Sequence, residues 1–323
     1  MRTEIGSEFW SVPTGEENGL FPAGTKWFLS GRSALLAILK ENRFQTVLLP
    51  DWCCDSMIKP FLENQVEVAF YPALEGIGNR QADAALVMDY FGYVRNVDTS
   101  GFNGVVIRDV THSILSLRDY HDADYYFGSF RKWAGFYTGG FAWGFQKPVS
   151  YIEDNTEYVS LRKEAMELKE QYIEKKTDSK EYLSLFETAE ELLETAGIFP
   201  ASERDVALAK RFDVSLVRAK RRSNAKILLD AFSDIAIFPE RNDEDCPLFV
   251  PVLVKNRDAL RKALIQQEIY CPVHWPVSPQ HEISEQSRKF YENGLSLVCD
   301  QRYTKDDMFR IVETVKKFLN EGA

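Results

Sequence analysis

Short apolar runs separated by polar turns dominate the first half of the chain. Residues 46–49 (TVLL), 66–71 (VEVAFY), 84–88 (AALVM) and 105–107 (VVI) are rich in β-branched and aliphatic side chains with few polar interruptions, the pattern of strands buried on both faces. Each is followed by turn residues or helical spacing. That alternation predicts an α/β fold, a mostly parallel sheet with helices on both faces. Residues 141–145 (FAWGF), introduced by Gly139 and Gly140, read as a further strand.

The pattern changes between residues 151 and 232. LRKEAMELKEQYIEKK, EYLSLFETAEELLETA and VALAKRFDVSLVRAKRRSNAKILLDAF repeat apolar positions at helical spacing, and their charges read as solvated helix faces. The basic cluster 218–222 (RAKRR) is tempting as an anion site but is read the same way, as a helix surface. Beyond it lie strand 248–254, helix 257–267, a helix around 285–292, the strand LSLV, and a final helix. Thr304 can cap that last helix, and Met308, Ile311, Val312, Val315, Phe318 and Leu319 form its apolar face. The organisation predicted is a large domain over 1–230 and a small α+β C-terminal domain over 231–323, joined by a long helix, with the N-terminal segment packing on the small domain.

Composition narrows the partners more than the fold. The 323 residues carry 39 Lys plus Arg against 49 Asp plus Glu, a net charge of −10, with 45% hydrophobic and 27% charged residues. This is a globular composition. Its acidic balance disfavours nucleic acid and anionic membranes, both of which need clustered basic side chains. No apolar run approaches the roughly 20 residues of a membrane helix. The start, Met1-Arg2-Thr3-Glu4, lacks a signal-peptide core, so a cytoplasmic location is expected. The five cysteines form no C-x-x-C and no zinc-spaced cluster, which points to a reduced compartment and no metal. Cys54 reads as a small buried hydrophobe before it reads as a reactive thiol.

Three segments carry candidate chemistry. Ser30-Gly31-Arg32-Ser33 precedes an apolar helix, whose first amides and dipole would seat a phosphate; the same residues also begin ordinary helices. Val105–Ile107 leads into Arg108 and Asp109, a carboxylate at the end of a buried strand, where ligands bind in parallel sheets. Asp109 would stabilise a protonated ring nitrogen and His112, three residues on, would bond the same ring; alternatively Asp109 caps the next helix. Lys132 follows Ser129 in Ser-Phe-Arg-Lys, set among aromatics and glycines. Desolvation and the neighbouring Arg131 would favour its neutral, nucleophilic amine, unless it is a snorkelling surface lysine.

In this order the segments resemble the fold-type I enzymes dependent on pyridoxal 5′-phosphate, and more closely the DegT/DnrJ/EryC1/StrS sugar aminotransferases. The resemblance spans most of the chain. Gly31, Arg32 and Ser33 match the family's phosphate loop, and Ser129 the serine that shares that phosphate. Residues 47–54 (VLLPDWCC) resemble the strand ending in proline whose following residues lie over the cofactor ring. Cys54 aligns near the covering aromatic, and Trp52 is read as the stacking ring on its chemistry. Residues 88–93 (MDYFGY) take the place of the next strand-end segment. Asp109 matches the partner of the pyridinium nitrogen, His112 the Gln or His beside it, and Lys132 the lysine that binds the cofactor covalently. LSLVCDQRYTKDDM resembles the family's closing strand-to-helix passage.

Departures exist. Ser-x-x-Lys is tighter than the family spacing, the chain is short, and the Asn-Tyr-Arg segment that reaches the neighbouring subunit is replaced around residues 197–202, with Ser202 or Arg204 as substitutes. The resemblance implies an aminotransferase acting as a homodimer, with glutamate as donor and a keto acceptor such as a sugar or nucleotide-sugar. Tyr93, His274 and Trp275 are candidate substrate residues, as is Arg95. A lyase, dehydratase or decarboxylase on the same fold stays open, as do a non-catalytic relative and a simple phosphate- or nucleotide-binding protein.

Overall fold

Period-two alternation along the apolar runs settles how the sheet is buried. Val47 and Leu49, Ala84, Leu86 and Met88, and Ile107 point into one cluster, while Leu48, Ala85, Val87 and Val106 point into another. Both faces are therefore covered, as a parallel sheet requires. The computed structural model describes residues 4–95, 97–152, 155–194 and 197–321.

In chain order come β1 (Ile5–Gly6), β2 (Lys26–Phe28), α1 (Gly31–Asn42), β3 (Thr46–Pro50), α2 (Asp55–Glu63), β4 (Glu67–Tyr71), β5 (Ala84–Met88), β6 (Val105–Asp109), β7 (Tyr125–Ser129) and β8 (Gly140–Trp143). The helices α3 (Thr156–Ile173), α4 (Tyr182–Leu192), α5 (Glu203–Lys210) and α6 (Val214–Phe232) follow. The chain ends with β9 (Phe249–Leu253), α7 (Arg257–Gln266), β10 (Ile269–Tyr270), α8 (Glu285–Asn293), β11 (Gly294–Val298) and α9 (Lys305–Glu321).

Seven strands form the main sheet in the order β2-β8-β7-β6-β5-β3-β4. Strand β8 is antiparallel to both its neighbours, and the pairs from β7 across to β4 are parallel. The carboxyl ends of β6 and β7 thus lie side by side, which puts Asp109 and Ser129 on one edge. Strand β7 was hidden in the sequence because its residues, YYFGS, read as the aromatic setting of Lys132. Gly128 inside it is obligatory: a Cβ there would lie 2.7 Å from the Phe141 ring.

Helices α1 and α2 cover one face, but the opposite face near β3, β5 and β6 is covered by loop residues Ile77, Val97 and Phe102 rather than by helices. The stretch expected as one helix around residue 212 is two: Phe212 turns into the core, and the Asp213 side chain accepts from Leu216 N at 2.9 Å to start α6. In the C-terminal unit β9 and β11 pair antiparallel, and α9 buries Met308, Ile311 and Val315. Thr304 caps α9 reciprocally with Asp307. The N-terminal segment joins this unit, since β1 pairs in parallel with β10 and the Tyr303 hydroxyl both receives from Gly6 N and donates to Gly6 O. Among the described residues no helix is long and apolar enough to cross a membrane.

Candidate active site

The site begins with the start of α1. Ser30 is extended, and its hydroxyl accepts from Ser33 N at 3.2 Å, which leaves the amides of Gly31 and Arg32 outside the intrahelical ladder. Strand β8 fixes this turn by close approach, because a Cβ on Gly140 would come within 2.1 Å of the Ser30 carbonyl oxygen. Gly31 faces Ser129: a Cβ there would sit 3.5 Å from that of Ser129 and fill the gap between them. The Ser129 hydroxyl is buried and has no hydrogen-bond partner among the described residues. A buried, unpaired donor beside free helix amides is a fitting cradle for a phosphate. Arg32 and Ser33 point elsewhere with their side chains, to the carbonyl oxygens of Leu193 and Gly197.

Beside the cradle, Asp109 is 5% exposed and accepts from Thr111 N at 2.7 Å. Burial pushes its carboxyl up to about 6, against the hydrogen bonds from Thr111 and the positive charge of Lys132. A carboxylate this costly to ionise alone fits a cationic ring nitrogen as its partner. His112 is buried too. Its Nδ1 accepts from Phe91 N at 3.3 Å, so Nε2 carries the proton, and burial, His274 and Lys132 keep the ring neutral.

Thr111, which the sequence reading passed over, ties these groups together. Its amide holds Asp109, its hydroxyl accepts from Ser129 N at 3.1 Å, and its carbonyl accepts from the Trp133 indole at 2.8 Å. The only advance signal was a β-branched residue directly after a strand end.

Lys132 closes a 3₁₀ turn, Phe130–Lys132, that leaves β7 immediately after Ser129. Its side chain is exposed, so the burial expected from its aromatic neighbours is absent: those rings, Phe130 and Trp133, turn inward beneath it. Arg131 does not crowd it either, being drawn away to the Tyr158 hydroxyl and Glu190, each at 2.6 Å. Lys132 and His112 open onto a cleft of about 460 Å³. Arg131, Arg162, Arg221, Arg261 and Arg302 also line it, facing three carboxylates among the described residues, Glu8, Glu190 and Asp300.

Those arginines correct the reading of the charged helices as wholly solvated. Arg221, within the basic cluster, is 1% exposed, bonds to Gln301 and the Leu248 carbonyl, and lies over Trp133. Arg218 and Arg222 are spent on backbone carbonyls. Arg162 and Lys169 are likewise buried on α3. A signal existed, for Arg221 shares a helical face with Val217, Ala225 and Leu228.

Trp52 needs a second correction. It is 1% exposed, stacks on Tyr90 at 4.7 Å, packs against Phe290 and donates to the His274 carbonyl at 3.1 Å. A ring so enclosed has no face left for a cofactor and instead packs together segments remote in the chain. Cys54 caps α2 half-buried, its thiol 2.9 Å from the Ser56 hydroxyl, pushed up by burial and within electrostatic range of Asp109 and Lys132.

Of the substrate candidates, His274 lines the cleft, held at Nδ1 by the Ser296 hydroxyl at 2.8 Å and pushed down to about 3 by burial and by Lys132. Trp275 stacks on His112 at 5.9 Å and lines a second groove with Cys54. Tyr93 does not reach the cleft: it is buried against Phe238, with Arg95 over the same ring. Ser202 and Arg204 are likewise committed within the chain, to Asp205.

No protein-family model and no curated protein sequence matches the chain. Solved structures do. A DegT/DnrJ/EryC1/StrS aminotransferase from Brucella abortus matches over 91% of this chain and 85% of its own, with TM-score 0.63 and 14% identity. PseC of Helicobacter pylori, an aminotransferase involved in the biosynthesis of pseudoaminic acid, covers 91% and 86% with TM-score 0.62 and 17% identity. A candidate sugar aminotransferase of Streptococcus pneumoniae in its PLP form covers 91% and 86% at TM-score 0.61 and 16% identity. The fold is the fold-type I fold of these proteins.

Proposed function

We propose that the protein is a pyridoxal 5′-phosphate-dependent aminotransferase that moves an amino group from an amino-acid donor, glutamate by resemblance, to a keto acceptor of the sugar or nucleotide-sugar class. The observation that carries this is the meeting of Asp109, Ser129 and Lys132 at one sheet edge, beside the open amides of α1, in the fold described above. The names of the structural relatives support the sugar class.

Each residue then has a task. The amides of Gly31 and Arg32 and the Ser129 hydroxyl would hold the phosphate. Asp109 would pair with the ring nitrogen and keep it protonated, and His112 would bond the ring from beside. When bound, pyridoxal 5′-phosphate supplies an electron sink for negative charge developing at the substrate carbon. Lys132 would be the residue that holds the cofactor covalently, and its free Nζ would serve as the base that takes and returns the proton at the substrate carbon. Its exposed side chain suits both tasks. His274 lines the same cleft as Lys132 and would meet the substrate there.

The reading extends to a cytoplasmic homodimer in which residues 1–230 hold the cofactor and 231–323 close over the substrate. The five free thiols agree with a reduced compartment. The test is spectroscopic. Protein mixed with pyridoxal phosphate should develop a visible absorbance that borohydride fixes onto the Lys132 peptide, and an amino-acid donor should discharge it before reduction. A colourless protein with no label on Lys132 refutes the reading; an absorbance that no donor discharges moves it to the lyase class.

A further inference from the structure

With Trp52 enclosed, a cofactor ring held by Asp109, Ser129 and Lys132 needs another wall. A flat heteroaromatic ring is held well against an aromatic face that also keeps water off it. The start of α2 offers none, because Cys54 caps that helix and carries no ring. Tyr90, Phe91 and Trp133 are each at most 5% exposed, so their faces are taken up inside the protein.

Trp275 is placed differently. It sits on the loop after β10, half-buried, and borders a groove of about 540 Å³ that it shares with Cys54, Asp55 and Lys59. That groove adjoins the cofactor residues twice. Asp55 and Lys59 lie within electrostatic range of Arg32 at the cradle, and the Cys54 thiol within range of Asp109 and Lys132. Trp275 also lies nearly parallel to His112, with 15° between the planes and 5.9 Å between centroids. It therefore adjoins His112 and Cys54, the two residues that would flank a ring held between Asp109 and Lys132.

The loop is pinned on both sides of the indole. Trp52 donates to the His274 carbonyl at 3.1 Å and meets Trp275 edge-on at 6.1 Å. Further on, the Ser278 hydroxyl donates to Asp55 at 2.6 Å, beside Cys54. A wall already held in place loses little freedom when a ligand packs on it.

We propose that Trp275 is the aromatic cover of the cofactor ring, carried by the loop after β10 instead of the segment after β3, and that Trp52 is a positioning residue that holds it there. This role rests on the aminotransferase reading above, and takes Trp275 from the substrate to the cofactor.

The experiment uses the full-length protein, loaded with pyridoxal phosphate and reduced with borohydride, so that a fluorescent pyridoxyl group is fixed on Lys132. An indole in contact with that group quenches its emission, whereas a phenyl ring does not. Trp275→Phe should raise the emission per label severalfold. It should hold pyridoxal phosphate affinity, by absorbance titration, within about threefold, since phenylalanine keeps a stacking face. Trp275→Leu, apolar but without a ring, should lower that affinity about tenfold. Trp52→Phe should leave the emission as it is. Emission unchanged in Trp275→Phe overturns the proposal, whether or not Trp275→Leu folds, as does a wild-type affinity in Trp275→Leu. Failure of the functional reading shows separately, as the absence of any borohydride-fixed label on Lys132 of the wild type.

Discussion

Replacing Asp109 with Asn should stabilise the cofactor-free protein while disabling it. The carboxyl is buried, and its value rises from the ordinary 3.8 to about 6 in the folded chain. A shift of roughly two units corresponds to about 3 kcal/mol of folding free energy. The sign follows from the direction. A group raised on folding contributes stability below its unfolded value, near 3.8, and loses it as pH climbs to about 6, after which the deficit is constant. Asparagine keeps an oxygen for the Thr111 amide and has no charge to desolvate. Urea unfolding of the cofactor-free wild type and Asp109→Asn, compared at steps from pH 4 to pH 8, should therefore show near-equal stability at the acid end. The variant should gain up to about 3 kcal/mol by pH 7. Adding pyridoxal phosphate should reverse the order, since only the carboxylate can pair with a protonated ring nitrogen. A variant less stable than wild type at pH 8, or a difference that does not grow with pH, would refute the claim that burial strains this carboxylate.

Further outcomes follow from the same geometry. Lys132→Ala should remove the borohydride-fixed label and all transamination yet leave the unfolding free energy within about 0.5 kcal/mol, because the side chain is exposed. Ser129→Ala deletes a hydroxyl with no partner in the protein, so folding should be unaffected while pyridoxal phosphate affinity, read by absorbance titration, falls about tenfold for a lost bond of roughly 1.5 kcal/mol. Gly140→Ala drives a Cβ to 2.1 Å from the Ser30 carbonyl and should cost about 3 kcal/mol or more by urea unfolding, with the phosphate cradle displaced as well.

Much of the site was readable before any coordinates because its parts are local. An N-capping serine ahead of an apolar helix, an aspartate ending a buried run and a lysine three residues after a serine are each set by a few adjacent residues. Sheet topology then brings the ends of β6 and β7 together, and Asp109 with Ser129, which the sequence did not show because β7 was not read as a strand. The misreadings have a common origin in long-range packing. Trp52 looked like a stacking ring on its chemistry alone, but Tyr90 and Phe290, contributed by remote segments, enclose it. Tyr93 failed for the same reason, against Phe238.

The sequence by itself determined the alternation of strands, the capped start of α1 and the edge carboxylate, since those depend on periodicity and near neighbours. Only the tertiary structure decided which cations are solvated and which face the cleft. Arg131 and Arg162 lie thirty-one positions apart, and nothing local marks them as partners; they meet at Glu190 because α3 and α4 pack together beside the turn after β7. Charge in a sequence is a sum over residues, whereas binding depends on where the fold strips those charges of water. A chain of net charge −10 can therefore keep a cleft in which cations outnumber carboxylates.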